Sequence, residues 1–492
     1  MSGAETTAPD AARRQADPKT AVVVIHGMGE QRPMDTLRGV VDALWTYDGD
    51  ITSPRTSTVY SKPDAMTGSF ELRRITTRSV RLEEGKAKRA DFFEFYWAHL
   101  MTGSKIAWVV SWLCGLLIRG PASVPRRLIF PWLAGLFVLV FTACMMALAA
   151  FKALPEWLST LGLPAMPAWV YVLAAVVSFL AGAVGAVWLG PVAGDAARYL
   201  SPTPDNVGAR QKIREAGVDL LNQLHASGKY DRIIVVGHSL GSVVGYDVLN
   251  YAWGRLQAED LLARHGPGSP TSKALAEVET AAGLLIHAKR KDIGPARVVY
   301  RAAQRSYAQT LALAQAELPP LWLVSDFVTL GCPLSKADVL VARDPEDLRR
   351  RVSRREVPTN PPWLEKNDPK QKRFRFSYPV NDPIRIPHHA AVFAPVVWTN
   401  VYFDNLLIAF GDIISGAVAP ILGRGVLDVR LKIGAPVFRH LDYWKSPASD
   451  KPWLRALRRA VNLRRLDEAT LWGKQAEAAE IEAASLAPDV IL

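Results

Sequence analysis

The sequence predicts an α/β fold in which helices cover both faces of a mostly parallel sheet. Short runs rich in β-branched and aromatic residues alternate with longer segments of helical spacing, as in folds built from strand–helix–strand units. The runs at 21–25 and 233–236 are continuously apolar. Parallel strands buried on both faces have this composition, whereas half-exposed strands alternate apolar and polar residues. Both runs are followed by turns that contain glycine. Such turns are typical of strand ends that carry a functional site.

The elements follow one another in a regular order along the chain. Strands are predicted at 21–25, 69–79, 92–97, 231–236, 327–330, 396–403 and 429–433. Helical spacing occurs at 35–45, 211–224, 242–253 and through most of 256–318.

The predicted domain organisation places one α/β domain around a long insertion. Residues 1–19 are polar and predict a disordered tail, and 20–104 form the first part of the domain. Residues 105–194 form a membrane-associated insertion, and the main part of the domain spans 195–447. Within the main part, 256–318 is a helical insertion and 343–375 a basic one; 448–492 is a charged helical C-terminal tail.

Two long uncharged stretches in the 105–194 insertion predict a transmembrane hairpin. A membrane-spanning helix needs about 20 apolar residues, and the stretches place two such helices at about 128–151 and 168–190. Arginine and lysine flank the hairpin on both sides, while its tip carries only Lys152 and Glu156. By the positive-inside rule both soluble parts face the cytoplasm, so we expect a multi-pass protein of the cytoplasmic (inner) membrane with the lipid bilayer as partner.

Composition narrows the choice of partners and cofactors. The 492-residue chain has a formal net charge of +12, a pI of about 9.6 and a mean hydropathy of +0.06. No nucleic-acid-binding motif accompanies the positive charge, so we expect an anionic membrane surface and no nucleic acid. The three cysteines form no C-x-x-C pair, and His388 and His389 are adjacent, so we expect no metal and no cofactor. The sequence does not indicate an oligomeric state.

The pentapeptide from Gly237 to Gly241, Gly-His-Ser-Leu-Gly, predicts a reactive serine. It lies between an apolar strand and a helical segment, and G-x-S-x-G in that context forms a sharp turn that exposes the serine. Glycines at both ends allow the close backbone packing that such a turn needs. Ser239 is therefore the candidate nucleophile.

A serine nucleophile needs a histidine base and an acid that orients it. In folds with this turn, the chain order is serine, acid, histidine. His440 is the one histidine that follows the last predicted strand, so it is the candidate base. Asp412 is the favoured acid, and Asp404, directly after a strand, is the alternative.

An oxyanion hole requires two backbone N–H groups that point at the developing negative charge. The residue after the nucleophile, Leu240, is one expected donor. The other is expected from the turn after the first strand, where Gly27 or Met28 is the candidate. His26 is expected to be a structural hydrogen-bonding residue and not a base.

These residues together resemble the lipase and esterase branch of the α/β-hydrolase superfamily. The resemblance rests on three short features: the turn at His26 and Gly27, the sharp turn at Ser239 (the nucleophile elbow), and the segment that holds His440 and Tyr443-Trp444. It rests also on two longer runs, Thr329-Leu330-Gly331-Cys332-Pro333-Leu334 and Trp398-Thr399-Asn400-Val401-Tyr402 with Gly411-Asp412.

The resemblance implies a membrane-anchored serine hydrolase that cleaves carboxylic, lipid-like esters through an acyl-enzyme. Two alternatives remain open at this point. One is a catalytically inactive hydrolase-fold protein that serves membrane interaction, and the other is an acyltransferase that uses the same triad.

Overall fold

The computed structural model describes residues 19–473 apart from several gaps. The long gaps are 102–117, 151–166 and 171–197, with Leu173 described. Shorter gaps fall at 29–31, 82–86, 125–128, 201–203, 256–257, 314–319, 367–373, 379–383, 407–409, 433–438 and a few isolated positions. The predicted disordered tail, residues 1–19, lies outside the described residues except for Lys19.

Nine strands of the described residues form one sheet. They are β1 Lys19–Ile25, β2 Val59–Pro63, β3 Arg73–Thr77, β4 Val80–Arg81, β5 Ala87–Phe95, β6 Arg232–His238, β7 Val324–Leu330, β8 Val397–Phe403 and β9 Leu427–Leu431. Their order is β9-β8-β7-β6-β1-β5-β3-β2, and β4 pairs with β5. The six strands from β9 to β5 are parallel, and β2, β3 and β4 are antiparallel additions at one edge.

The helices precede or follow the strands as the α/β pattern predicts. They are α1 Asp35–Val41, α2 Ile129–Ala150, α3 Pro204–Ala226, α4 Leu240–Gly254, α5 Ala258–Arg264, α6 Pro270–His287, α7 Ile293–Ala312, α8 Ala337–Leu340, α9 Pro345–Ser353, α10 Ala419–Leu422 and α11 Pro452–Val461. Two-residue strands form three small ribbons: Glu365–Lys366 with Phe374–Arg375, Ser377–Tyr378 with Ile386–Pro387, and Asn405–Leu406 with Phe410–Gly411.

Both faces of the sheet are buried because successive strand residues point to opposite sides. Val23 of β1 faces a core that α3, α4, α6 and α7 complete. Its neighbour Val22 faces a second core, to which α1 and α11 contribute. The prediction of a mixed α/β fold with a mostly parallel, doubly covered sheet is therefore confirmed.

The transmembrane hairpin has no support in the described residues. The first predicted span coincides with α2, of which only some side chains are described, and the second lies almost wholly outside the described residues. Counted over the residues that are described, no helix is long and apolar enough to cross a bilayer.

The parallel arrangement places the carboxyl ends of six strands along one edge of the sheet. Gly27 follows β1, Ser239 follows β6 and Gly331 follows β7. Asp412 and His440 come after β8 and β9. Every residue predicted for the site therefore lies in a segment that leaves the same edge, where open α/β sheets bind their ligands.

Candidate active site

The elbow at Ser239 requires a glycine on each side. A Cβ on Gly241 would clash with the carbonyl oxygens of both Ile25 and His26, and one on Gly237 would lie 2.6 Å from the Cα of Ser242. The start of α4 thus packs directly against the ends of β1 and β6. The two glycines of the motif make this approach possible.

Ser239 has the backbone strain expected of a nucleophile elbow. Its φ and ψ are 52° and −127°, a conformation that costs a non-glycine residue about 1–3 kcal/mol. The backbone N–H of Ser239 donates to the carbonyl of Leu330 at 2.8 Å. The side chain is 1% exposed, and its hydroxyl has no hydrogen-bond partner among the described residues.

His440 is held by a buried carboxylate. Its Nδ1 lies 2.8 Å from Oδ1 of Asp412, and both residues are buried. A neutral imidazole that donates from Nδ1 has its lone pair on Nε2, which is the form that accepts a proton from a serine. The sequence-predicted acid and base are thus in contact, although they are 28 positions apart in the chain.

Asp412 receives further hydrogen bonds that keep it ionised. Tyr443 donates its hydroxyl to Oδ2 at 2.6 Å, and the N–H groups of Ile414 and Ser415 donate to Oδ1 at 3.1 and 3.2 Å. Burial acts to raise the pKa of Asp412, but the hydrogen bonds from His440 and Tyr443 and the charge interaction with His440 outweigh it and lower the pKa to about 2. The carboxylate is charged at every physiological pH.

Asn400 in β8 positions the loop that carries the acid. Its side-chain amide donates to the carbonyl of Gly416 at 2.9 Å and to the Asp428 carboxylate at 2.7 Å, and its oxygen accepts from Thr329 at 2.9 Å. The side chain links β7, β8 and β9 to the segment after Asp412. This gives a physical role to the Trp398–Tyr402 part of the resemblance.

Gly331 connects the nucleophile elbow to the acid and base. The residue before it, Leu330, accepts the hydrogen bond from Ser239. A Cβ on Gly331 would lie 2.9 Å from Oδ2 of Asp412 and 3.0 Å from two atoms of the His440 ring, and its φ is +63°. Cys332, which follows, is fully buried, and burial raises the pKa of its thiol to about 12, so it is no competing nucleophile.

The oxyanion candidates lie beside the serine. A Cβ on Gly27 would approach the Cβ of Ser239 to 2.9 Å, so the turn after β1 adjoins the nucleophile. Leu240 is the first residue of α4, where backbone N–H groups have no partner within the helix. Met28 continues the turn and is half-buried against the core.

Three other polar side chains make ion pairs or hydrogen bonds that do not involve the Asp412–His440 pair. Asp404, the alternative acid, forms an ion pair with Arg430 and is about one-third exposed. Asp326, near the start of β7, binds Arg232 and Arg305 at 2.6 and 2.8 Å at the opposite edge of the sheet. His26 donates from Nδ1 to the Gly27 carbonyl and accepts the Trp97 N–H at Nε2, as expected of a structural histidine.

The sequence assigns no specific role to two residues that the structure places at the site. Tyr443 enters only as part of the resemblance, and its contact with Asp412 depends on how the last loop folds back. His238 occupies a variable position of the G-x-S-x-G motif. Its ring nevertheless contacts the backbone of His440, in the loop that carries the candidate base (the base loop). No spacing rule points to either contact.

A concavity elsewhere on the described residues contains none of the candidate catalytic residues. It measures about 1030 Å³ and lies between α6, the start of α7 and the segment around Arg375 and Arg385. The hydrogen-bonded Asp412–His440 pair and the strained Ser239 thus lie outside this concavity.

Comparisons with family models, curated proteins and solved structures find no match for this chain.

Proposed function

We propose that the protein is a serine hydrolase that cleaves carboxylic esters through an acyl-enzyme. The observation that carries the proposal is the buried hydrogen bond between Asp412 and His440 next to a strained serine at a strand-to-helix turn. The context of that serine, after a parallel strand and at the start of α4, is the one in which G-x-S-x-G acts as a nucleophile elbow. The order serine, acid, histidine along the chain also agrees.

In the proposed reaction, Ser239 Oγ attacks the ester carbonyl carbon while Nε2 of His440 takes the hydroxyl proton. The tetrahedral oxyanion is bound by backbone N–H groups of Leu240 and of the turn at Gly27 and Met28. The C–O bond to the alcohol then breaks, and the alcohol leaves with the proton from His440. A water molecule, deprotonated by His440, attacks the acyl-enzyme and releases the carboxylic acid and the free serine.

Asp412 orients the imidazole and stabilises the imidazolium that forms in each step. Its low pKa means that it stays a carboxylate throughout and does not itself take the proton. Tyr443 supports this state because a hydroxyl that donates to a carboxylate stabilises the charged form.

A fluorophosphonate probe tests the proposal directly, because it reacts with activated serines. The detergent-solubilised wild type should be labelled, and Ser239→Ala and His440→Ala should not. Ser227→Ala is the matched control: Ser227 directly follows α3, at the opposite edge of the sheet, and its replacement should leave labelling unchanged. Turnover of p-nitrophenyl esters of increasing acyl length then gives the substrate preference.

The result that would reject the proposal is a folded wild type that is not labelled and hydrolyses none of these esters. Labelling that survives Ser239→Ala would instead show that the reactive serine lies elsewhere in the chain. In the first case the inactive hydrolase-fold interaction protein becomes the better interpretation.

We further propose that the partner is the lipid bilayer at the cytoplasmic membrane and that the ester is lipid-like. Four side chains of α2 at helical spacing are 45–70% exposed: Leu133, Phe137, Val140 and Phe141. An apolar stripe of this kind favours lipid contact.

Flotation with vesicles tests this partner. The wild type should float with lipid, and a Phe137→Glu, Phe141→Glu variant should float less. Leu262→Glu, in an exposed apolar position of α5, is the control. Equal flotation of the stripe variant and the control would contradict lipid contact through α2.

A further inference from the structure

His238 directly precedes the candidate nucleophile in the chain and contacts the candidate base. It ends β6, directly before Ser239, and is 4% exposed. Its Nε2 is 2.9 Å from the backbone carbonyl oxygen of His440. Its ring centroid is 5.0 Å from that of His440 and meets the Trp444 ring edge-on at 4.8 Å. One side chain of the elbow thus contacts the loop that carries the base.

The direction of this hydrogen bond follows from its partner. A carbonyl oxygen only accepts, so Nε2 of His238 carries the proton and donates it. Burial, and next the charge on His440, lower the pKa of His238 to about 3, so the ring is neutral at physiological pH. Nδ1 is then unprotonated, and it faces Gly27, whose Cβ position is 2.9 Å away.

His238 is consequently unsuited to be the base itself. Its Nε2 donates its proton to the His440 carbonyl, and its Nδ1 faces the turn at Gly27. It contacts two other segments instead, the turn after β1 and the base loop, whose relative positions the proposed reaction depends on. Trp444 extends this packing to α1, where it lies against Gly39.

We propose that His238 is a positioning residue that sets the placement of the His440 side chain relative to Ser239 by hydrogen-bonding the backbone carbonyl of His440. The inference rests on the proposed hydrolase function. Its hydrogen bond is to the backbone carbonyl of His440 and not to the imidazole, so it acts through the backbone of the base. Its loss lowers kcat and leaves KM nearly unchanged, because substrate binding does not depend on it.

A matched pair of substitutions isolates the hydrogen bond. His238→Gln retains an N–H donor at a similar reach, whereas His238→Met has a similar length and no donor. Both lose the aromatic packing against Trp444 equally. Displacement of a catalytic group by a fraction of an ångström lowers turnover strongly, so His238→Met should lose about 10- to 100-fold in kcat and in labelling rate, and His238→Gln should recover most of that loss.

Each outcome discriminates between the inference and the proposed function. An active wild type with equal kcat in the Gln and Met variants overturns the role of His238 and leaves the hydrolase function standing. A KM increase without a kcat decrease also overturns it. A wild type that is neither labelled nor active rejects the proposed function and the inference with it.

A measurement on the wild type alone covers the case in which the variants do not fold. In ¹⁵N-histidine spectra, His238 should be protonated at Nε2 and should not titrate between about pH 5 and 8, since its ring is buried and neutral. A resonance that titrates in this range, or an Nδ1–H tautomer, overturns the inference.

Discussion

Replacing Gly331 by alanine should impair the candidate active site in two separable ways. The first is a backbone effect, because φ at this position is +63° and an alanine in the left-handed region costs about 1–2 kcal/mol. The second is steric. The new Cβ would lie 2.9 Å from Oδ2 of Asp412 and 3.0 Å from Cε1 and Nδ1 of His440. Only the second effect acts on the acid and the base.

The magnitude of the steric effect follows from the contact distances. Nonbonded heavy atoms pack at about 3.5 Å, so the Asp412–His440 pair must shift by about 0.5 Å. A misplacement of about 1 Å can cost 100-fold in rate, so we expect Gly331→Ala to lower kcat by at least about 10-fold. Ester hydrolysis and the fluorophosphonate labelling rate both report this loss.

Gly268→Ala is the matched control for the backbone effect. Its φ is +73°, and no described atom lies within 4 Å of the position of its Cβ. It should lose a similar unfolding free energy and keep wild-type kcat. The reasoning is refuted if Gly331→Ala folds and retains wild-type kcat, or if Gly268→Ala loses activity to the same extent.

The contacts of the site support three further predictions. Asp412→Asn should lower kcat about 10⁴-fold, because an amide cannot stabilise the imidazolium. Asp404→Asn should leave kcat for ester hydrolysis unchanged. A larger kcat loss in Asp404→Asn than in Asp412→Asn would assign Asp404 as the acid. Tyr443→Phe removes a hydrogen bond to an ionised carboxylate and should cost about 1.5–3 kcal/mol of unfolding free energy at pH 7. Because the folded pKa of Asp412 is about 2 and its ordinary value is 3.8, that difference should be fully present above about pH 4 and shrink as the pH falls toward 2. Urea unfolding measures it, and a difference that grew on acidification would contradict the assignment. Cys332→Ala should not alter fluorophosphonate labelling, because burial holds the thiol protonated with a pKa of about 12; loss of labelling in a folded variant would give the thiol a role.

Much of the sheet could be predicted from the sequence because its strands are buried on both faces. Continuous apolar runs such as those of β1 and β6, followed by helical segments, are typical of strands in the middle of a parallel sheet. The two-residue ribbons could not be predicted in the same way, because such short pairings depend on the surrounding packing. The π-helical turn Asp42–Thr46 after α1 likewise left no signal in the helical spacing of 35–45.

The candidate nucleophile can be predicted from a short window of the sequence. Its motif is local, and both glycines have steric reasons that a short window of sequence contains. The acid was harder, because Asp404 and Asp412 both follow the same strand. The sequence favours Asp412 and keeps Asp404 as the alternative. In the fold, Asp404 pairs with Arg430, while Asp412 contacts His440.

Local sequence patterns therefore suffice to predict the α/β class, the turn at Ser239 and a short set of candidate partners for it, because periodicity and turn chemistry act between near neighbours in the chain. Three contacts become visible only in the folded chain: Asp412 with His440, Tyr443 with the Asp412 carboxylate, and His238 with the backbone of His440. These contacts join segments that are 28 to 202 positions apart. They arise because parallel strands bring their carboxyl ends to one edge, which no local pattern of residues specifies.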